Sequence, residues 1–327
     1  MAHRKKIAII GAGLCGLTAA RRLQDHAEVV VTEKSRGLGG RMSTRRAAPF
    51  VFDHGAQYFR AQSPQFISFV DQMREAGHVA KWHPKLVNID GAQSVTDAAD
   101  TGGMFVATPA MNSLCKHLAE GVTVLRSKRV ATLTRASESW TITCEDGEEL
   151  AGFDWVLSTA PAEQTRALLP EDLSFNATLQ AARMQGNFTL MLGFEDAPAL
   201  GWEAAKLQNH MLGWIASSTS KPMREGGSGF VVQSTHAWAE RHLERPLADV
   251  EAEMFSAFQE VTGIAQAPIY QSLHRWRFAA VRQPAQETFL LDASRGLAAA
   301  GDWCGDGKVE AAYLSGHAAA SAIAALL

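Results

Sequence analysis

With 327 residues, 46% of them hydrophobic and 20% charged, and a net charge of −3, the chain has the composition of a globular protein longer than one average domain and able to bury a sizeable core. That balance supplies no basic field for nucleic acid, which excludes such partners as a first expectation. Cys15, Cys115, Cys144 and Cys304 form no C-x-x-C pair and the 11 histidines contain no H-x-x-x-H spacing, so no metal centre is expected and a reducing, cytoplasmic setting fits.

The basic and apolar start imitates a secretory signal. Its apolar stretch is broken by Gly11, Gly13 and Gly16 and followed by Arg21 and Arg22, so residues 7–10, Ile-Ala-Ile-Ile, read instead as a buried parallel strand. The helix-forming LTAARRL after the glycines puts strand, turn and helix in sequence. In that context Gly11 permits the tight turn, Gly13, after Ala12, lets backbone approach a pyrophosphate, and Gly16 lets helix and strand pack closely. The next strand, EVVVTEK, ends in Glu33 and Lys34, and the Glu33 carboxylate lies 20 residues beyond Gly13, where it can accept hydrogen bonds from a ribose diol. A dinucleotide site follows from these residues together. Residues 35–46, SRGLGGRMSTRR, add a flexible loop through Gly37, Gly39 and Gly40 and a bidentate phosphate donor in Arg41; a solvated basic loop is the plainer alternative.

Residues 55–61, GAQYFRA, leave this first domain where the chain crosses to a second. Gln57 can hydrogen-bond a planar ligand, Tyr58 and Phe59 offer aromatic walls, and Arg60 and Ala61 complete the stretch, although an ordinary strand would bury Phe52 and Phe59 as core. Further on, residues 122–136, 139–144 and 153–161 read as strands, with Asp146-Gly147 as a hairpin turn. NFTLMLGF and GFVVQSTHAW read as strands of the second domain, REGGSG as a loop, and residues 246–263 as a helix with Val250, Met254, Phe258 and Val261 on one face. In HRWRFAAV, Arg275, Trp276 and Arg277 stand side by side, which suits a planar, phosphate-bearing ligand, while an exposed strand edge explains the arginines as well. Thr96, Asp97, Asn187, Thr219 and His236 are weaker candidates, polar residues in or beside apolar stretches. The closing AAASAIAALL is about half the ~20 residues that span a bilayer, so it reads as a final helix and no membrane partner is expected.

The glycine run, the GG-R segment, FDHGAQYF and AAAGDWCGDGKVEAAYLSGHAAASA together resemble the flavoprotein amine oxidase and renalase group over nearly the whole chain. That resemblance implies an α/β fold: a Rossmann-like FAD-binding domain of the p-hydroxybenzoate hydroxylase or monoamine oxidase type (1–65, 104–165, 286–327) with a discontinuous α+β substrate domain (66–103, 166–285). It implies that Asp302 lies near the flavin ribityl and pyrophosphate, that residues 158–161 lie near the flavin, and that the helix start at Val309 aims backbone amides at the pyrimidine edge. Val130 lies near the adenine on this reading, and core packing explains it equally. Within the group, FDHGAQYF, RWRFA and GDWCGDGKVEAAYLSG look most like bacterial renalases. The implied activity is oxidation of 2-dihydro and 6-dihydro isomers of NAD(P) to NAD(P)+ by hydride transfer to non-covalent FAD, with dioxygen reduced to hydrogen peroxide. An amine or amino-acid oxidase on the same fold is the alternative, with Arg60, Arg275 and Arg277 suited to a carboxylate. A binding module that has lost catalysis is a third, disfavoured by the intact Gly11, Gly13, Gly16, Glu33, Arg41 and Asp302.

Overall fold

The computed structural model describes residues 4–91, 94–98, 103–196 and 198–327. Its first sheet runs Leu290–Asp292, Leu297–Ala299, Trp155–Ser158, Lys6–Ile10, Glu28–Glu33 and Thr123–Arg126 in spatial order. All neighbours are parallel except the antiparallel edge pair of Leu290–Asp292 with Leu297–Ala299. A parallel strand covered on both faces must be apolar on both, and the first strand obeys this. Ile7 and Ile9 enter one core cluster with the helices Leu14–Leu23 and Lys308–Ala324, whereas Ala8 and Ile10 enter another. The second cluster holds Trp140, Ile142 and Phe153 from the meander Val130–Ala136, Ser139–Cys144 and Glu149–Phe153, whose last hairpin turns at Asp146-Gly147.

The two helices touch backbone to backbone. A Cβ on Gly316 would stand 2.2 Å from the Cys15 carbonyl oxygen, so only glycine fits there.

A seven-stranded sheet forms the other half: Tyr270–Gln283, Arg183–Gly193, Gly229–Ser234, Leu212–Ser217, Ala204–Gln208, Leu86–Asp90 and Ser94–Asp97. Strand alternation divides its residues. Phe188, Leu190, Leu192 and Val232 pack against Val250, Met254 and Phe258 of the helix Leu247–Thr262, which Gly263 ends in a left-handed cap. Asn187, Thr189 and Met191 occupy the opposite face, where Met191 meets Phe50 and Phe52 from the hairpin Thr44–Ala47 with Phe50–Asp53.

The helix Pro64–Glu75 packs against the nucleotide-binding half: Phe66, Phe69 and Val70 enter the core cluster of its first helix, and Phe69 stacks on Tyr313 at 4.3 Å. One expectation changes. GFVVQSTHAW is only partly strand: Thr235 accepts from the Trp238 N–H and caps a helix, His236–His242.

Candidate active site

Between the two halves lies a cleft of about 2530 Å³. Its nucleotide end is built by the first strand and the turn after it. Gly11, at φ +110°, donates its N–H to the Thr32 carbonyl at 2.8 Å. Glu33 is 6% exposed and accepts from the Ala12 N–H (2.9 Å) and the Ser35 N–H (2.8 Å), which fixes its carboxylate at the cleft wall. Ala12 itself is buried.

The three motif glycines divide by cause. A Cβ on Gly16 would lie 2.0 Å from the Gly11 oxygen, so that glycine serves packing inside the protein. Gly13 has φ −81° and nothing within 4 Å of a would-be Cβ, so neither its backbone nor its neighbours require glycine. Space at the start of the helix Leu14–Leu23 is kept for something outside the chain. Gly40, at φ +52°, faces it from the second loop, its own would-be Cβ 3.6 Å from the Gly13 Cα. An anion at a helix N-terminus with unblocked amides is the ligand such a cradle takes, and a dinucleotide pyrophosphate fits it. Lys34, held by Gln164 at 3.1 Å, and Val130, 8% exposed and also packed in the core, line the same end.

Arg41 has a different role from that of a free phosphate donor. Its guanidinium grips Asp302 through two hydrogen bonds of 2.6 Å, tying the GG-R loop to the turn before the last helix. Beyond that pair, Gly307 and Lys308 (φ +81° and +74°) open the helix Lys308–Ala324, whose N-terminus and Val309 line the cleft. No side chain caps that end, so its first amides point out with the positive pole of the helix.

The substrate side is set by alternation along Tyr270–Gln283. His274 and Trp276 face the cleft; Arg275 turns to the other side and donates to the Leu243 carbonyl at 2.6 Å, and Arg277 pairs with Glu244. Arg275, expected to contact ligand, borders the cleft with its guanidinium anchored on that carbonyl. Trp276 donates to the His54 carbonyl at 2.9 Å and stacks on the His54 ring at 5.3 Å, with His274 edge-on to both. Burial, with His274 and Arg45 beside it, pushes His54 down to about 3, and burial with Arg45 pushes His274 down to about 4. Both imidazoles are neutral at physiological pH. As pH falls from about 6.5 toward 4, the unfolded chain takes up protons that these folded sites refuse, so stability falls with them. A His54→Asn/His274→Asn variant should flatten that acid limb in urea titrations across this range; an unchanged limb would show that the rings do not carry it.

Gln57 is 5% exposed and turned inward: its amide donates to the Gly55 and Asp53 carbonyls and accepts from Lys221 at 3.2 Å. It shapes the cleft wall and is not a free donor. Tyr58 faces Trp214 at 5.5 Å, and Arg60 lines the cleft. Phe59 is held by Phe105 in a two-way backbone bridge and is chiefly core, while Ala61 lies beside the cleft lining. Asn187 donates to the Ser234 carbonyl at 2.7 Å, and His236 Nδ1 donates to the Gly186 carbonyl at 2.8 Å. Thr96 and Asp97 sit exposed on the edge strand and Thr219 in a separate depression, so these three do not join the cleft.

Beneath the site lies a charge cluster that sequence reasoning missed. Asp53, with its side chain 1% exposed, accepts from Arg224 (2.7 and 3.0 Å), Lys221 (3.3 Å), Thr44 (2.7 Å) and the Met111 N–H (3.0 Å). The signal was a lone carboxylate at the end of the apolar run Phe50–Asp53, which needs a buried partner. Among the described residues no group of three or more side chains could hold a metal, and no helix is long and apolar enough to cross a membrane.

A Rossmann-like sheet, a nucleotide cradle and a large, mostly antiparallel sheet facing it across a cleft define a flavin-dependent oxidoreductase, and the chain belongs to the flavin containing amine oxidoreductase family, whose model matches residues 92–324. A NAD(P)-binding Rossmann-like domain model matches residues 9–73. Similar folds are an Exiguobacterium sp. 255-15 protein assigned as a protoporphyrinogen oxidase (TM-score 0.78, 11% identity, 98% of this chain and 99% of that one) and cyclohexylamine oxidase from Brevibacterium oxydans IH-35A (0.76, 14%, 99% of each). Putrescine oxidase bound to putrescine is similar too (0.73, 13%, 98% and 99%). Among curated sequences, 4,4'-diapophytoene desaturase of Staphylococcus aureus strain Newman is 50% identical over 52 residues; the match covers 15% of this chain and a tenth of that protein.

Proposed function

We propose that the protein is a cytoplasmic oxidase of isomeric dihydronicotinamide dinucleotides, the 2-dihydro and 6-dihydro forms of NAD(P), producing NAD(P)+ and hydrogen peroxide from dioxygen. The observation that carries this reading is the chemistry of the substrate wall. From the large sheet it presents Asn187, Trp214, Gln233, His274, Arg275, Trp276 and Arg277, with His236 from the adjoining helix, and among the described residues that sheet brings no carboxylate to the cleft. Such a wall suits a planar, anionic ligand and offers no counter-ion to a cationic amine.

FAD fits the nucleotide end. Glu33 would take the ribose hydroxyls, the amides at Gly13 and the Gly40 loop the pyrophosphate, Val130 the adenine side, and the N-terminus of Lys308–Ala324 the electron-rich pyrimidine edge, with Asp302 held in place by Arg41. The bound flavin supplies the two-electron acceptor and its reoxidation by dioxygen. Attachment is non-covalent: Cys304 is fully buried and burial pushes its thiol up to about 12. The side chains then have modest tasks. A dihydropyridine expels hydride with help from its own ring nitrogen, so no strong protein base is required; Trp276 and the neutral His54 and His274 orient the ring and exclude water.

The test is anaerobic rapid mixing of the flavoprotein with isomerised NADH while following flavin bleaching. Bleaching by the isomers with ordinary NADH and amines inert is the expected outcome. Bleaching by an amine or amino acid alone would instead establish the second reading, an amine or amino-acid oxidase, which the aromatic group of Tyr58, Trp82 and Trp214 favours.

A further inference from the structure

We propose that Arg45, beside the imidazoles of His54 and His274, forms an anion subsite that binds the phosphate of a nucleotide substrate whose ring packs on the His54–Trp276 patch. The proposal rests on the nucleotide-oxidase reading above and adds the residue that recognises the substrate's charge.

Several arginines in and beneath this cleft are committed, while Arg36, Arg46 and Arg60 line it at other positions. Arg41 holds Asp302, Arg224 holds Asp53, and Arg275 holds the Leu243 carbonyl. Arg45 is half-buried in the strand Thr44–Ala47 and lines the cleft, and among the described residues its guanidinium has no hydrogen-bond or ion-pair partner. On the same strand the preceding Thr44 turns inward to Asp53, so alternation sends Arg45 to the cleft face. Its charge reaches both imidazoles, which are neutral and do not compensate it. Asp53, the carboxylate next in sequence to His54, is already saturated by Lys221, Arg224, Thr44 and the Met111 amide.

A second observation points to the same ligand. His54 is 6% exposed, its Nε2 meets Ser43 Oγ at 3.3 Å, and its Nδ1 is buried without a hydrogen-bond partner. A planar guanidinium with spare donors, set beside neutral imidazoles on a wall without carboxylates, matches the oxygens of a phosphate and repels an ammonium group. The aromatic patch of His54 and Trp276 is adjacent, so one nucleotide can use both.

The experiment is calorimetric titration of the flavin-loaded protein with two unreactive probes, nicotinamide mononucleotide and nicotinamide riboside, which differ by one phosphate. The wild type should bind the mononucleotide roughly 10- to 100-fold more tightly, the scale of a charge-assisted contact. Arg45→Met should bring the two affinities within about twofold while leaving the riboside unchanged, and Arg45→Lys should restore part of the difference. A wild type without preference, or an Arg45→Met variant that keeps it or weakens both probes equally, overturns the subsite. Anaerobic bleaching by dihydro isomers, run on the same preparation, reports on the oxidase reading separately, so a failed activity with an intact phosphate preference is distinguishable from a failed subsite.

Discussion

Asp53→Ala should lower the unfolding free energy by about 3–5 kcal/mol, the scale seen when one partner of a buried ion cluster is removed. Lys221 and Arg224 would be left 2% exposed at their side chains with no carboxylate between them. Burial alone would raise the Asp53 carboxyl, yet Lys221 and Arg224 with the Met111 and Thr44 donors hold it well below the usual carboxylate range. Its contribution is therefore complete above about pH 4 and is lost only as strong acid protonates the folded-state carboxyl. Adding Arg224→Met to Asp53→Ala should recover a large part of the loss, since an apolar replacement removes the stranded charge. Urea titration of the single and double variants decides this; a single-variant loss under about 1 kcal/mol would mean that water reaches the cluster. Lys221 gives a second arm of the same sign at alkaline pH. Burial pushes it down to about 8, so between there and the ordinary 10.5 the unfolded chain holds a proton that the folded chain has released, and stability rises with pH. Lys221→Met should remove that rise.

Gly13→Val should weaken flavin binding roughly 100-fold or more, about 2.8 kcal/mol at 1.4 kcal/mol per decade, because its side chain fills the cradle at the helix start. The apoprotein should lose no more than about 1 kcal/mol, since nothing in the fold stands within 4 Å of the new Cβ. Gly16→Ala is the contrast: its methyl meets the Gly11 oxygen at 2.0 Å, and the apoprotein itself should lose about 1–3 kcal/mol from overpacking. Flavin content after purification, FAD titration of apoprotein and urea unfolding separate the two effects. Equal loss of apoprotein stability in both variants would contradict a cradle reserved for ligand.

The α/β architecture was legible because its signals are local. An apolar run, a glycine turn and a helix former within residues 7–23 report one supersecondary unit, and the Leu247–Thr262 helix is visible in its own spacing. The site was legible as stretches but not as side-chain directions. FDHGAQYF and HRWRFAAV do meet at the cleft, yet which face Arg275 takes depends on the register of Tyr270–Gln283 against Arg183–Gly193, broken by irregularities that no sequence pattern marks. Arg41 and Asp302 read as two ligand contacts because their pairing spans 261 residues. Arg224 stands in REGGSG, which reads as a loop, and only the approach of that segment to the Phe50–Asp53 strand makes it and Lys221 interior.

The strand Tyr270–Gln283 belongs to both halves of the molecule: Leu273 packs with the helix-covered core of the large sheet, while Phe278 and Val281 join the core of the nucleotide-binding half. It works as a tie rod. Opening the cleft as a clamshell would have to break its ladder with Arg183–Gly193 or pull Phe278 out of its core, so the spacing between cradle and aromatic wall is set when the chain folds. One strand thus ties the cradle to the aromatic wall, so a change in its register would move both sides of the cleft together.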